Sequence, residues 1–252
     1  MKRKSLENRV HLIDEVRGFA IICMVVYHTF YDLVVIFGVD IPLFYTDFIN
    51  TLVILFAGLF IFISGSACLF SRNNLKRGFL CFMLGMAMTA FTFFFMTDNL
   101  DAFGILHMLG INMMLFPLVA PLIKKIPPIF GIIGCLILWA VTYNLSNGYF
   151  GFEGIFTLDM PSSLYTTSFL FPLGLPSQSF YSVDYFPLIP WVFCFWAGSF
   201  LGVMLKEKKL PEAFYKMHLR PLAFVGRHTL LIYILHQPVV FTILSVVFLI
   251  IG

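Results

Sequence analysis

Long apolar runs separated by short polar turns dominate the chain. A helix that crosses a bilayer needs about 20 mostly apolar residues. The pattern therefore predicts seven spanning helices, at residues 14–37, 48–71, 78–96, 102–123, 129–145, 187–205 and 226–250. Residues 146–186 contain apolar pieces that are too short and too rich in Pro and Gly to span, which predicts an external loop or a re-entrant segment. The expected fold is all-α, a polytopic transmembrane helical bundle that forms a single integral-membrane domain over residues 1–252.

Composition supports the membrane class. The chain is 60% hydrophobic and 12% charged, with a mean hydropathy of +0.94, whereas soluble domains carry about 25% charged residues. Nucleic-acid binding is excluded because the chain has no sizeable polar segment. The five cysteines lie inside apolar runs without metal-ligand spacing, so we expect no metal site.

The positive charges predict the orientation. All sixteen Lys and Arg fall before the first span, near span ends on that side, or in the loops that join spans two to three, four to five and six to seven. The alternate loops carry acids and no Lys or Arg. Because cytoplasmic loops are enriched in Lys and Arg, we predict a cytoplasmic N-terminus.

The first span carries four ionisable residues on one helical stripe, Asp14, Arg17, His28 and Asp32. An ionisable residue inside a span costs ~2.5 to 3.5 kcal/mol on insertion scales, so such residues usually have a use. Eleven rises, about 16 Å, separate Arg17 from His28. Arg17 is interpreted as an interfacial anchor or a binding residue, and Asp14 as its ion-pair partner. His28 has a structural or a catalytic interpretation, and Asp32, one turn on, could orient its imidazole.

Further polar residues occur inside later spans. Each also has a purely structural interpretation. The small-residue patch around Ser64 could serve helix packing, and His107 could be a hydrogen-bonded histidine at the membrane interface. His236 and Gln237 could satisfy the backbone groups that the Pro238 kink leaves unpaired. Because spans one, four and seven each contribute a costly histidine, we predict a shared polar cavity. The possible further site residues are Asp14, Ser64, Asn112, His236 and Gln237.

These residues carry a family resemblance. Arg17, ten intervening residues and His28 match the R-x10-H signature of membrane-bound acyltransferase-3 proteins. A longer set of segments resembles the heparan-alpha-glucosaminide N-acetyltransferase catalytic-domain family and covers most of the chain in the right order. These segments are IDEVRGFAIICMVVYHTFYDL, FIFISGSACLFSR, FGILHMLGI, DYFPLIPWVFCFWAGSFLG and GRHTLLIYILHQPV.

The resemblance implies transfer of an acyl group, usually acetyl, from cytoplasmic acyl-CoA to a sugar amine or hydroxyl of an envelope glycan or amino sugar. It implies His28 as general base or acyl relay and Arg17 as the residue that holds the CoA. From their positions in the spans, Asp32 and His107 are further catalytic candidates, and Arg227 and His228 are possible helpers of Arg17. The expected setting is the bacterial cytoplasmic membrane, with acetyl-CoA or another acyl-CoA as co-substrate, the lipid bilayer as surroundings and a homo-oligomer as a possible assembly.

Two other classes stay open. In a small proton-coupled transporter, the same histidines would relay protons. The broken segment around residues 172–176 favours this class, whereas the missing internal repeat and the positive charge on one face disfavour it. A non-catalytic subunit of an envelope assembly is the third alternative.

Overall fold

The computed structural model describes residues 10–96 and 99–251. Four of the cations used to predict the orientation lie outside these residues, Lys2, Arg3, Lys4 and Arg9, as does Asp98 of the acidic loop.

Helices account for most of the described chain. They are α1 (His11–Tyr31), α2 (Asp47–Cys68), α3 (Asn74–Phe95), α4 (Ile105–Ile123), α5 (Pro128–Thr142), α6 (Leu188–Lys206), α7 (Arg220–Arg227) and α8 (Thr229–Ile251). Within the described ranges, seven helical segments are long and apolar enough to cross a membrane, α7 being too short. The all-α polytopic prediction is confirmed, and the predicted boundaries agree to within a few residues.

Two local features of the helices differ from the predicted pattern. A π-helical turn, Asp32–Ile36, extends α1. The seventh span begins at Thr229, because the backbone leaves helical geometry at His228, where φ is −109° and ψ is 16°. The preceding residues form the separate helix α7 instead of the start of the span.

The segment after α5 contains a short β-hairpin that the sequence pattern did not reveal. Strand β1 (Tyr149–Phe152) pairs antiparallel with β2 (Phe156–Asp159), and Tyr149 lies opposite Asp159. Gly154 in the turn has a φ of 80°, a conformation that glycine adopts without steric cost. Two 3₁₀ turns follow, Ser162–Tyr165 and Phe171–Leu173, and neither the hairpin nor these turns could span.

The described chain divides into two compact units. The first comprises the described residues of Met1–Ile63 and Lys208–Gly252, and the second comprises those of Ser64–Glu207. The single-domain assignment of the whole chain stays a prediction.

In the first unit, α1 packs against α7 and α8. Glycine allows the closest approach, because a Cβ on Gly18 would meet the carbonyl oxygen of Leu222 and a Cβ on Gly226 would meet that of Asp14. The buried Glu15 carboxylate accepts the backbone N–H groups of His218 and Leu219 at 2.7 and 3.0 Å. This contact holds the loop before α7 against the start of α1.

In the second unit, α3 packs on α4 and α5 packs on α6. A Cβ on Gly78 would lie 2.6 Å from the carbonyl oxygen of Gly110, and one on Gly110 would lie 2.7 Å from the backbone nitrogen of Phe82. The α3–α4 interface therefore brings backbone against backbone, as small residues permit between spanning helices.

Candidate functional site

The first candidate, His28, lies on the last turns of α1 and is half-buried. Its Nδ1 is 3.0 Å from the carbonyl oxygen of Met24 and 2.9 Å from the sulfur of the same residue. A carbonyl only accepts, so Nδ1 carries the proton and donates it. In the neutral ring, Nε2 therefore has the lone pair that a general base needs.

A second imidazole from α8 faces His28. The ring centroids of His28 and His236 are 4.9 Å apart, with an interplanar angle of 59°. His236 also holds Nδ1 against a helix carbonyl, that of Tyr233 at 2.6 Å. Two helices at opposite ends of the sequence thus bring two imidazoles into contact. The sequence assigned these two residues to separate spans and predicted that they share a cavity, and the structure shows the contact between their rings.

One turn further along α1, a carboxylate and an amide join the same two helices. Asp32 is fully buried, and Gln237 donates from Nε2 to its Oδ1 at 2.7 Å. Asp32 starts the π-helical turn, a distortion that is frequent at functional sites. Asp32 Oδ2 and Gln237 Oε1 are buried without a hydrogen-bond partner among the described residues. The hydrogen bond of Asp32 is therefore made to Gln237, whereas the Nδ1 of His28 bonds within its own helix.

The cationic candidates lie at the other end of α1 and at the end of α7. Arg17 Nη1 is 3.5 Å from Asp14 Oδ1, as expected for an ion pair one turn apart. Arg227 and His228 are both exposed. Arg227 lies 6.0 Å over the Phe224 ring, and His228 Nδ1 is 2.9 Å from the Phe224 carbonyl oxygen. All of these residues belong to the first unit.

His107 belongs to the second unit and has a different environment. It is 2% exposed and its ring stacks on Phe103 at 5.3 Å between centroids. Its Nδ1 accepts the backbone N–H of Gly104 at 3.1 Å, so Nε2 carries the proton in the neutral ring. Nε2 is 3.3 Å from the hydroxyl of Thr89, and that hydroxyl donates to the Asp101 carbonyl at 2.6 Å. Nδ1 therefore fixes the start of α4, and Nε2 contacts Thr89 on α3.

Two other candidates of the second unit have packing contacts. Asn112 is fully buried and donates to the Met108 carbonyl at 2.9 Å. Ser64 belongs to the small-residue patch, where a Cβ on Gly65 would meet the Phe195 carbonyl. In the same patch, Ser66 donates to the Gly198 carbonyl at 2.6 Å and Ser199 donates to the Gly65 carbonyl at 3.2 Å. This reciprocal pairing supports the helix-packing interpretation of the patch.

One partly buried carboxylate, Asp101, was not among the predicted candidates. Burial and the nearby Asp184 raise its pKa to about 8. Carboxylate oxygens of Asp101 and Asp184 lie 2.7 to 3.0 Å from where a Cβ of Gly104 would sit, so a side chain at this position would displace them. The sequence did offer a signal for this residue, because Asp101 is an acid that lies just before Gly104 and the fourth span.

The predicted candidates thus separate between the two units. Asp14, Arg17, His28, Asp32, Arg227, His228, His236 and Gln237 lie in the first unit, and Ser64, His107 and Asn112 in the second. The cavity predicted from spans one, four and seven stays a prediction. Among the described residues, no group of three or more His, Cys, Asp or Glu side chains could hold a metal ion.

These features define an integral membrane protein with a histidine pair on its spanning helices. A family model, heparan-alpha-glucosaminide N-acetyltransferase, catalytic, matches residues 9–238. Because the match covers most of the chain, the chain belongs to this family of membrane acetyltransferases, which use acetyl-CoA as co-substrate. The curated proteins and the solved structures gave no significant match.

Proposed function

We propose that the protein transfers an acetyl group from acetyl-CoA to an amine or hydroxyl of a sugar, in an envelope glycan or an amino sugar, at the bacterial cytoplasmic membrane. The observation that carries the proposal is the contact between His28 and His236 in a chain of this family. The positive charges of the loops support a cytoplasmic N-terminus and a donor that approaches from the cytoplasm.

His28 is the proposed general base. As the acceptor nitrogen or oxygen attacks the thioester carbonyl, Nε2 of His28 removes the proton of the acceptor. The carbon–sulfur bond then breaks, and the CoA thiolate leaves and takes up that proton. General bases contribute roughly 10²- to 10⁴-fold to such reactions, and the hydrogen bond from Nδ1 to Met24 presents Nε2 as the basic atom.

An acyl-histidine route uses the same atom. Here Nε2 of His28 attacks the thioester first, the carbon–sulfur bond breaks, and the thiolate leaves as the thiol with the proton that the ring gives up from Nδ1. The acceptor then takes the acetyl group from Nε2 and returns a proton to the ring. The two routes differ in whether CoA is released in the absence of acceptor.

Asp32 and Gln237 are the proposed positioning residues. Their 2.7 Å hydrogen bond joins a residue one turn after His28 to the residue directly after His236, so it would hold the two rings at their separation. The proposed role of His107 is structural, since its ring holds the start of α4.

Arg17, Arg227 and His228 are the proposed donor-binding residues of the first unit. Arg17 lies about 16 Å from His28 along α1, a distance that an extended thioester arm bridges. Its ion pair with Asp14 keeps the guanidinium in place, while the exposed Arg227 and His228 are accessible to phosphate.

The test is release of CoA thiol by the purified full chain in detergent, with acetyl-CoA as donor and glucosamine as the acceptor probe. We expect release that depends on the acceptor, and loss of release in His28→Ala. His11→Gln, which removes another histidine of the same helix, is the control and should keep the activity. Retained activity in His28→Ala would exclude His28 as the base.

Mass spectrometry of the chain after mixing with labelled acetyl-CoA alone separates the two routes. A labelled acetyl group on His28 supports the acyl-histidine route, and an unlabelled chain that still acetylates glucosamine supports direct transfer. Proton-coupled uptake of glucosamine by proteoliposomes that contain the protein, together with an absence of CoA binding, would favour the alternative of a small proton-coupled transporter.

A further inference from the structure

The second unit contains a cationic cavity that none of the proposed catalytic residues lines. Its volume is about 320 Å³, at the lower end of the range of about 300 to 1,000 Å³ for small-molecule pockets. Three cations line it, Arg72, Lys124 and Lys206, and no Asp or Glu does. We call it the Arg72 cavity.

Three separate segments supply these charges. Arg72 lies in the turn between α2 and α3, Lys124 caps the C-terminus of α4, and Lys206 ends α6. The positive-charge pattern predicts all three on the same side of the membrane, and the fold brings them to one cavity. Convergence of like charges from distant segments is unfavourable without a counter-charge.

The protein supplies little of that counter-charge. Lys206 Nζ donates to the carbonyl oxygen of Leu69 at 3.1 Å. In the part of the chain that the structure describes, none of the three cations forms an ion pair with a carboxylate. Arg72 and Lys124 are both exposed and both line the cavity.

Helix polarity adds to the positive field. The helix α3 begins at Asn74, which lines the cavity. The N-terminus of a helix carries a partial positive charge and exposed N–H groups, which favour phosphate. The C-termini of α2, α4 and α6 carry partial negative charge instead. The alternative role of the three cations is therefore to neutralise these helix ends.

We infer that the Arg72 cavity binds the phosphate groups of an anionic ligand. Two sources share this chemistry. One is the phosphorylated nucleotide end of the acyl donor, an alternative that rests on the proposed function. The other is the headgroup of an anionic phospholipid.

The experiment measures binding to the purified full chain in neutral detergent. The nucleotide probe is adenosine 3′,5′-bisphosphate, which has no acyl group, so its binding does not depend on acetyl transfer. The lipid probe is phosphatidylglycerol added to the detergent micelles, read as a rise in the melting temperature. Arg72→Gln and Lys124→Gln remove one cavity charge each. Lys125→Gln is the matched control, because Lys125 follows Lys124 directly and does not line the cavity.

We expect Arg72→Gln and Lys124→Gln each to weaken binding of one probe by about fivefold or more, as loss of a charge-assisted hydrogen bond does. Lys125→Gln should bind like the unmodified chain, and Lys124→Arg should restore binding. The probe that responds identifies the source of the phosphate.

Equal losses in Lys124→Gln and Lys125→Gln would overturn the inference, since they would indicate a diffuse surface charge. Failure of both probes to bind would also overturn the inference. The role of the three cations would then be to neutralise the helix C-termini. Because neither measurement uses catalysis, an inactive enzyme that binds the bisphosphate through Lys124 would refute the proposed function and keep this inference.

Discussion

The two units of the protein each place a histidine inside a spanning helix, yet they use the imidazole differently. In the first unit, His28 commits Nδ1 to a carbonyl of its own helix and faces His236. In the second unit, His107 accepts from Gly104 with one nitrogen and contacts Thr89 with the other. A buried histidine with both nitrogens engaged locally is suited to hold structure. One that keeps Nε2 for a ligand is suited to proton transfer.

The largest expected effect tests the first half of this comparison. In His28→Gln we expect acetyl transfer to fall by roughly 10²- to 10⁴-fold, because an amide cannot accept a proton at neutral pH. The melting temperature should change less than on removal of His107, because the His28 side chain is more exposed than that of His107. Thiol release and thermal unfolding are measured on the same preparation. If His28→Gln lowers the melting temperature but keeps the turnover per folded molecule, His28 has a structural role and is not the base.

The structural role of His107 in this comparison predicts a loss of stability in His107→Ala. Removing the ring leaves the Gly104 N–H and the Thr89 hydroxyl without their partner and opens a cavity, at a cost of about 3 kcal/mol. Chemical unfolding in mixed micelles measures this cost. Activity per folded molecule should fall far less than in His28→Gln. Equal losses of turnover in the two variants would give His107 a catalytic role.

A smaller effect is expected at the link between α1 and α8. Gln237→Leu removes the donor to the buried Asp32 and should cost about 1 to 3 kcal/mol of stability. Turnover should fall by less than in His28→Gln, since the link positions the rings without reacting. A double-mutant cycle with Asp32→Leu checks the coupling. Additive losses would show that the hydrogen bond does not join the two residues energetically.

The last prediction concerns the pH dependence of stability in the second unit, where we expect no change in acetyl transfer. Asp101 ionises at about 8 in the folded chain, against an ordinary value of 3.8 for the carboxyl pKa. Between these two pH values the folded chain keeps a proton that the unfolded chain releases, so stability falls as the pH rises. Asp101→Asn should remove this slope. Melting temperatures of both chains from pH 5 to 9 provide the check, and parallel curves would contradict the shifted pKa.

The seven spans were predictable from the sequence, because bilayer thickness imposes one length and one composition on every crossing. The predictions failed where short-range geometry decides. The break at His228, which separates α7 from α8, and the hairpin formed by β1 and β2 leave no clear trace in a hydropathy pattern. Asp101 was also overlooked, because its pKa is raised by burial and by Asp184, a residue far away in the sequence.

The candidate site was predictable only in part. The cost of an ionisable group in a span identified His28, Asp32 and His236 one at a time. Their partners could not be read from the chain. We expected Asp32 to orient His28, and the structure gives its hydrogen bond to Gln237 instead, while His28 turns to Met24.

The sequence by itself determined that this is a helical membrane protein of an acetyltransferase family, with polar residues on particular spans. The physical reason is that hydrophobic length and the desolvation cost of charge are properties of single segments. Tertiary structure alone decided which polar groups meet: His28 with His236, Asp32 with Gln237, and three cations around one cavity. Those contacts depend on helix packing between residues far apart in the chain, which side-chain volume and glycine spacing set only when the helices come together.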